Sequence, residues 1–162
     1  MRKALAAALC LVLLAASGTA LAEKTVTLTF VGDCTLGGED WLINREGSFH
    51  DYARKEGYTY FFEKLRDFFS EDDLTIINFE GVLKDDSRDA VNKTYCFRGP
   101  TDFARILPLS SIEAVNLDNN HTLDYGKRGK TSTVEALTGA GVHVFDELTP
   151  YIFEKDGIKI AF

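Results

Sequence analysis

Three short runs of apolar and β-branched residues set the organisation of this chain, and each stops on polar residues of a similar kind. Residues 24 to 31, KTVTLTFV, alternate like a half-buried strand and end at Gly32-Asp33. Residues 73 to 79, DLTIINF, form a second strand that ends at Glu80-Gly81. The third runs from Ile112 to Leu117 and ends at Asp118-Asn119-Asn120-His121. Between these runs the period changes. Tyr60, Phe61, Leu65, Phe68 and Phe69 recur at helical spacing, Thr101 to Leu107 reads as a short helix after Pro100, and Thr131 to Thr138 as a helix closed by Gly139 and Gly141. A short strand follows near Val142 to Phe145. Strand and helix thus alternate, which predicts an α/β fold with parallel strands covered by helices.

Two stretches depart from that alternation. Lys84 to Arg98 is polar and charged and reads as an excursion over the surface, either a solvated loop or one beside a substrate path. Tyr151 to Glu154 and Ile158 to Phe162, joined by Asp156-Gly157, read as a hairpin. Its second strand, IKIAF, lacks a polar cap or closing helix, so the expectation is a chain truncated at the C-terminus.

The first 22 residues follow another logic. Met1-Arg2-Lys3 is a basic head, residues 4 to 16 are almost all Ala and Leu, and Ala20-Leu21-Ala22 is a small-x-small cleavage site. This predicts a signal peptide over residues 1–22 and an exported, extracytoplasmic domain over residues 23–162, secreted or associated with the cell surface. The apolar stretch is shorter than the roughly 20 residues a membrane helix needs.

Removing that segment leaves 16 basic against 25 acidic residues, a formal charge of −9. Nucleic acid is excluded as a main partner, because its recognition needs clustered Lys and Arg. Cys34 and Cys96 remain. An oxidising compartment allows them to pair, but spacing alone leaves that pairing open.

In open α/β sheets ligands gather at the carboxyl ends of the strands. The three strand ends offer Asp33, then Asn78 and Glu80, then Asn120 and His121. Oxygen donors of this kind suit hard or borderline divalent cations. Taken singly, each also has an ordinary reading: Gly32-Asp33 as a turn, Asn78 as a turn cap, Glu80 as a solvated carboxylate, and Asp124 with Gly126 as a helix-start region. Cys34 reads as a packed or disulfide-linked thiol in preference to a ligand, since sulfur suits an oxygen-rich site poorly.

VGDCTLGG at Val31–Gly38, INFEGVL at Ile77–Leu83 and LDNNHTLDYG at Leu117–Gly126 resemble successive motifs of the CapA-like family, the poly-γ-glutamate capsule synthesis proteins. That family is similar in fold to the calcineurin-like metallophosphoesterases. The resemblance implies a layered metallophosphoesterase-like sheet with flanking helices, and a divalent metal (Mn, Zn, Fe or Mg) held by Asp33, Asn78, Glu80 and Asn120. It implies that His121 is the neighbouring proton donor or oxyanion stabiliser, and that Asp124 orients His121 or fixes its loop. Two departures stand out: Thr35 occupies the place of a phosphoesterase histidine, and the chain has only His50, His121 and His143.

The implied function is capsule or exopolymer biosynthesis, with an anionic exopolymer or a phosphate ester as substrate and a membrane synthase complex as partner. The alternatives are a non-catalytic component that binds polymer or synthase, and a secreted metal-dependent phosphoesterase of unrelated substrate.

Overall fold

The computed structural model describes residues 23–162, so the signal peptide expected over residues 1–22 lies outside the described residues. Four parallel strands form the central sheet in the order β1 (Leu28–Cys34), β2 (Leu74–Phe79), β5 (Ala114–Asn116), β6 (His143–Phe145). The excursion begins and ends on two further short strands, β3 (Val82–Leu83) and β4 (Arg98–Gly99), which pair in parallel. β7 (Ile152–Lys155) and β8 (Ile158–Ala161) make the antiparallel hairpin that the Asp156-Gly157 turn predicts, and alternate residues of both strands are half-buried.

Alternation along β2 assigns the two faces of the sheet. Ile77 and Phe79, with Val115 and Leu117, turn toward the main core formed with Phe69, Phe103, Ile106 and Leu137. Leu74, Ile76 and Ala114 turn the other way, against Tyr151, Phe153 and Phe162 of the hairpin segment. Helices therefore cover one face and the hairpin the other, a layered α/β arrangement.

Several boundaries differ from the sequence reading. β1 starts four residues later than the alternation suggests and continues through Gly32-Asp33, because the pairing with β2 carries a bulge between Phe30 and Asp33 where a turn was expected. The aromatic run near residue 60 is a 3₁₀ turn (Tyr58–Phe62) followed by a five-residue helix, α2 (Arg66–Ser70), instead of one continuous helix. Thr101–Ile106 is likewise 3₁₀. α3 (Gly126–Gly139) starts five residues before Thr131, absorbing a polar stretch that carries little hydrophobic signal. A helix without a sequence forecast, α1 (Phe49–Glu56), has Ser48 as its cap, accepting from the Asp51 N–H at 3.2 Å, and Gly57 at φ +81° as its stop.

The Gly37-Gly38 pair has a steric reason. Gly37 adopts φ +141°, and a Cβ there would run into the Arg98 carbonyl, while Gly38 exchanges backbone hydrogen bonds with Arg98 in both directions at 3.1 and 2.9 Å. The segment after β1 is thereby fastened to the far end of the excursion. Arg98 adds to this: its guanidinium donates to Asp40 Oδ1 at 2.8 Å and to the Lys84 carbonyl at 2.7 Å, and Tyr125 donates to Asp40 Oδ2 at 3.0 Å.

Candidate functional site at the strand ends

The bulge in β1 decides which side chain of that strand reaches the site. Phe30 is opposite Ile76, so regular pairing would set Gly32 opposite Asn78; the extra residue sets Asp33 there instead. A one-residue slip moves a side chain to the other face, and here it brings a carboxylate beside an amide. Asn78 Nδ2 donates to Asp33 Oδ1 at 2.8 Å and lies 3.5 Å from Glu80 Oε1. Asn78 Oδ1 accepts from Asn116 Nδ2 and from Asn119 Nδ2, both at 3.0 Å. Asn78 is therefore a half-buried hub between two carboxylates and two amides.

Asn119 extends the network. Its amide also donates to the Phe79 carbonyl at 2.8 Å, and its Oδ1 accepts from the His121 N–H at 2.9 Å. The side chain of Asn120 makes none of these bonds and is exposed; its carbonyl accepts from Lys93 at 2.8 Å. Of the six residues singled out in the sequence, Asp33, Asn78 and Glu80 meet at one point, His121 and Asp124 meet at a second, and Asn119 links the two. Asn116 and Asn119 were not singled out, although Asn119 stands in the polar run that ends the third strand.

The second group is more enclosed. His121 Nδ1 is 2.7 Å from Asp124 Oδ2, with His121 8% exposed and Asp124 1% exposed. Asp124 Oδ1 accepts from Lys93 Nζ at 2.8 Å, and Oδ2 also accepts from the Phe97 N–H at 2.8 Å. A buried carboxylate needs such partners to offset its desolvation. Asp124 is thus a fully engaged carboxylate behind the histidine, in the turn that leads into the helix starting at Gly126. The Phe97 ring stacks on His121 at 4.4 Å and 23°. Lys93 and Phe97 thus bring the end of the excursion against the His121–Asp124 pair, while residues 87–95 are exposed to solvent.

Cys34 and Cys96 are both free thiols. Burial, and then the Asp33 carboxylate, push the Cys34 thiol up to about 11, so it stays protonated at neutral pH and is a poor metal ligand. Among the described residues no three His, Cys, Asp or Glu side chains converge as a metal-holding group. What converges is a smaller oxygen set, the carboxylates of Asp33 and Glu80, with the Asn78 amide group between them. Carboxylates are ligands of the kind a hard cation takes, and the group both of them face here is the Asn78 Nδ2 amide.

A layered α/β sheet with oxygen donors gathered at its carboxyl ends, and a His–Asp pair beside them, defines the class. Residues 27–162 match the model of the bacterial capsule synthesis protein PGA_cap, and the chain belongs to that family. It is 24% identical over 151 residues to the capsule biosynthesis protein CapA of Bacillus anthracis, covering 86% of this chain and 34% of that protein. It is 39% identical over 70 residues to a probable polyglutamine synthesis accessory protein of Mycobacterium tuberculosis, covering 43% of this chain and 18% of the relative. The chain thus spans about a third or less of the length of these curated relatives.

Proposed function

We propose that this protein is an exported component of bacterial capsule or exopolymer synthesis whose strand-end site handles an anionic polymer of the poly-γ-glutamate kind. Family membership supports the biological setting, and the names of its relatives, capsule biosynthesis protein and synthesis accessory protein, are consistent with work beside a membrane synthase. The single observation behind the site assignment is the hub at Asn78, which joins residues from three strand ends.

In this reading Asp33 and Glu80 would hold a divalent cation. Of the two asparagines the resemblance adds as ligands, Asn78 has its Oδ1 engaged by Asn116 and Asn119 and Asn120 has its side chain exposed, so neither is counted as a donor here. Such a cation supplies Lewis-acid polarisation of a phosphoryl or acyl oxygen. The chain's own residues do the rest. His121, held through Nδ1 by Asp124, leaves Nε2 as the ring atom that meets substrate and moves a proton there. Phe97 covers the ring and limits water around it.

A second reading has its own support. His121 lies largely covered and tied into a dense network, which also suits a component that binds polymer or synthase without turnover. Fold alone does not separate the two.

Metal analysis of the purified protein, followed by turnover assays with phosphate esters and with poly-γ-glutamate, tests the proposal. The catalytic reading expects bound divalent metal and a His121→Ala variant that retains polymer binding but loses turnover. Absence of bound metal, together with full capsule complementation by His121→Ala, contradicts it. Turnover of phosphate esters without any effect on polymer points to a phosphoesterase of unrelated substrate.

A further inference from the structure

The His121–Asp124 pair is completed by residues distant in the chain. Lys93 and Phe97 both lie in the excursion between β3 and β4. Lys93 Nζ donates to Asp124 Oδ1 and to the Asn120 carbonyl, each at 2.8 Å, and stands 3.3 Å from His121 Nδ1. Its side chain is 31% exposed, yet two of its three N–H donors are engaged by Asp124 and the Asn120 carbonyl. Lys93 is therefore poorly placed to grip a substrate anion directly. Its effect must pass through the groups it holds.

Those groups are the ones that orient the histidine. Asp124 is a buried carboxylate with both oxygens engaged, Oδ1 by Lys93 and Oδ2 by Phe97 N–H and His121 Nδ1. Removing Lys93 leaves Oδ1 without its partner in a buried place, a costly condition that the carboxylate relieves by turning. A turned carboxylate no longer holds Nδ1 as before. Phe97 fixes the remaining freedom, since its stacked ring sets the plane of the imidazole.

We propose, resting on the reading of His121 given above, that Lys93 is a positioning residue of the site: by clamping Asp124 and the Asn120 carbonyl together it keeps His121 Nδ1 on Asp124 and leaves Nε2 free for substrate. Phe97 is the second wall of the same clamp. The end of the excursion is then a built part of the site, where its composition suggests a solvated loop.

The imidazole resonances of ¹⁵N-histidine-labelled protein test this without requiring any activity, with His121→Gln assigning the signal. In the parent protein the neutral His121 ring is expected as a single tautomer with the proton on Nδ1, and its ring protons are shifted by the Phe97 face. Lys93→Met is expected to give a mixture of tautomers at His121 alone, leaving His50 and His143 unchanged, and Lys93→Arg to restore the single form. Phe97→Leu is expected to abolish the ring-current shift. A Lys93→Met protein that keeps the parent His121 signature overturns the proposal, because Lys93 would then only anchor the loop. Should Lys93→Met fail to fold, Lys93→Gln serves instead; it is expected to show the mixture, and the parent signature in it overturns the proposal equally. With p-nitrophenyl phosphate as probe, Lys93→Met is expected to lower kcat about tenfold or more with KM unchanged. No turnover by the parent protein counts against the catalytic reading of His121, while the spectra still decide the role of Lys93.

Discussion

Asp33 and Asn78 stand opposite each other across β1 and β2, and the amide of Asn78 donates to the carboxylate of Asp33 at 2.8 Å. That pairing exists because β1 carries one extra residue after Phe30. The bulge converts an expected turn residue into a site residue, and it aligns Asp33, Asn78 and Asn116 as neighbours across three strands. Bulges are frequent beside functional sites for this reason, since they re-aim a side chain.

The network separates two adjacent asparagines. Asn119 makes four polar contacts within the site, to Asn78, Phe79, His121 and Thr122, whereas the Asn120 side chain is exposed. Asn119→Ala is expected to cost about 1 to 3 kcal/mol and Asn120→Ala about 0.5 kcal/mol or less, read from urea unfolding. Equal losses at the two positions contradict the network.

Gly37 is expected to tolerate no side chain. Its φ of +141° and the Arg98 carbonyl against its missing Cβ make Gly37→Ala strained twice over. A loss of more than about 1 kcal/mol is expected, with faster proteolysis in the 84–98 excursion whose end it fastens. Parent-like stability and cleavage would show that the contact with Arg98 is dispensable.

Cys34 is expected to be unreactive in the native protein. With its thiol pushed up to about 11 by burial and by Asp33, the thiolate is about one part in a thousand at pH 8. Iodoacetamide labelling of Cys34, followed by mass spectrometry, is expected to be slow in buffer and rapid in guanidinium chloride. Fast native labelling contradicts the buried setting.

Glu113 provides a pH test away from the site. Burial, against the opposing effect of the Thr75 N–H bond, holds its carboxyl above the ordinary 4.5. A raised folded value means that its contribution is fully present at acid pH and is lost as pH rises through the raised value. Glu113→Gln keeps an acceptor for Thr75 without the charge. The variant is therefore expected to melt higher than the parent at pH 7, with the gap shrinking as pH falls toward 4. A constant gap contradicts the assignment.

Much of the architecture is legible because β2 and β5 are largely buried strands whose apolar runs stop abruptly on polar residues. Their ends announce where a site lies. The clamp over that site is not legible, because Lys93 and Phe97 sit in a segment whose charge reads as solvated, and what folds its end inward are contacts with residues distant in the chain, among them Asp40–Arg98, Gly37–Arg98 and Phe97–Asp124. The choice of Asn119 over Asn120 as the hub's hydrogen-bond partner likewise depends on the curl of the chain after β5, which composition does not encode. α1 had local signals in Ser48 and Gly57, but an eight-residue amphipathic stretch gives weak periodicity.

The most direct test of the central claim is a Mn²⁺ titration followed by paramagnetic broadening of backbone amide signals. The account predicts selective, saturable broadening at Asp33, Asn78, Glu80 and Asn119, lost in the Asp33→Asn, Glu80→Gln double variant. Broadening that is absent, or scattered over surface carboxylates and unchanged in the double variant, would contradict it.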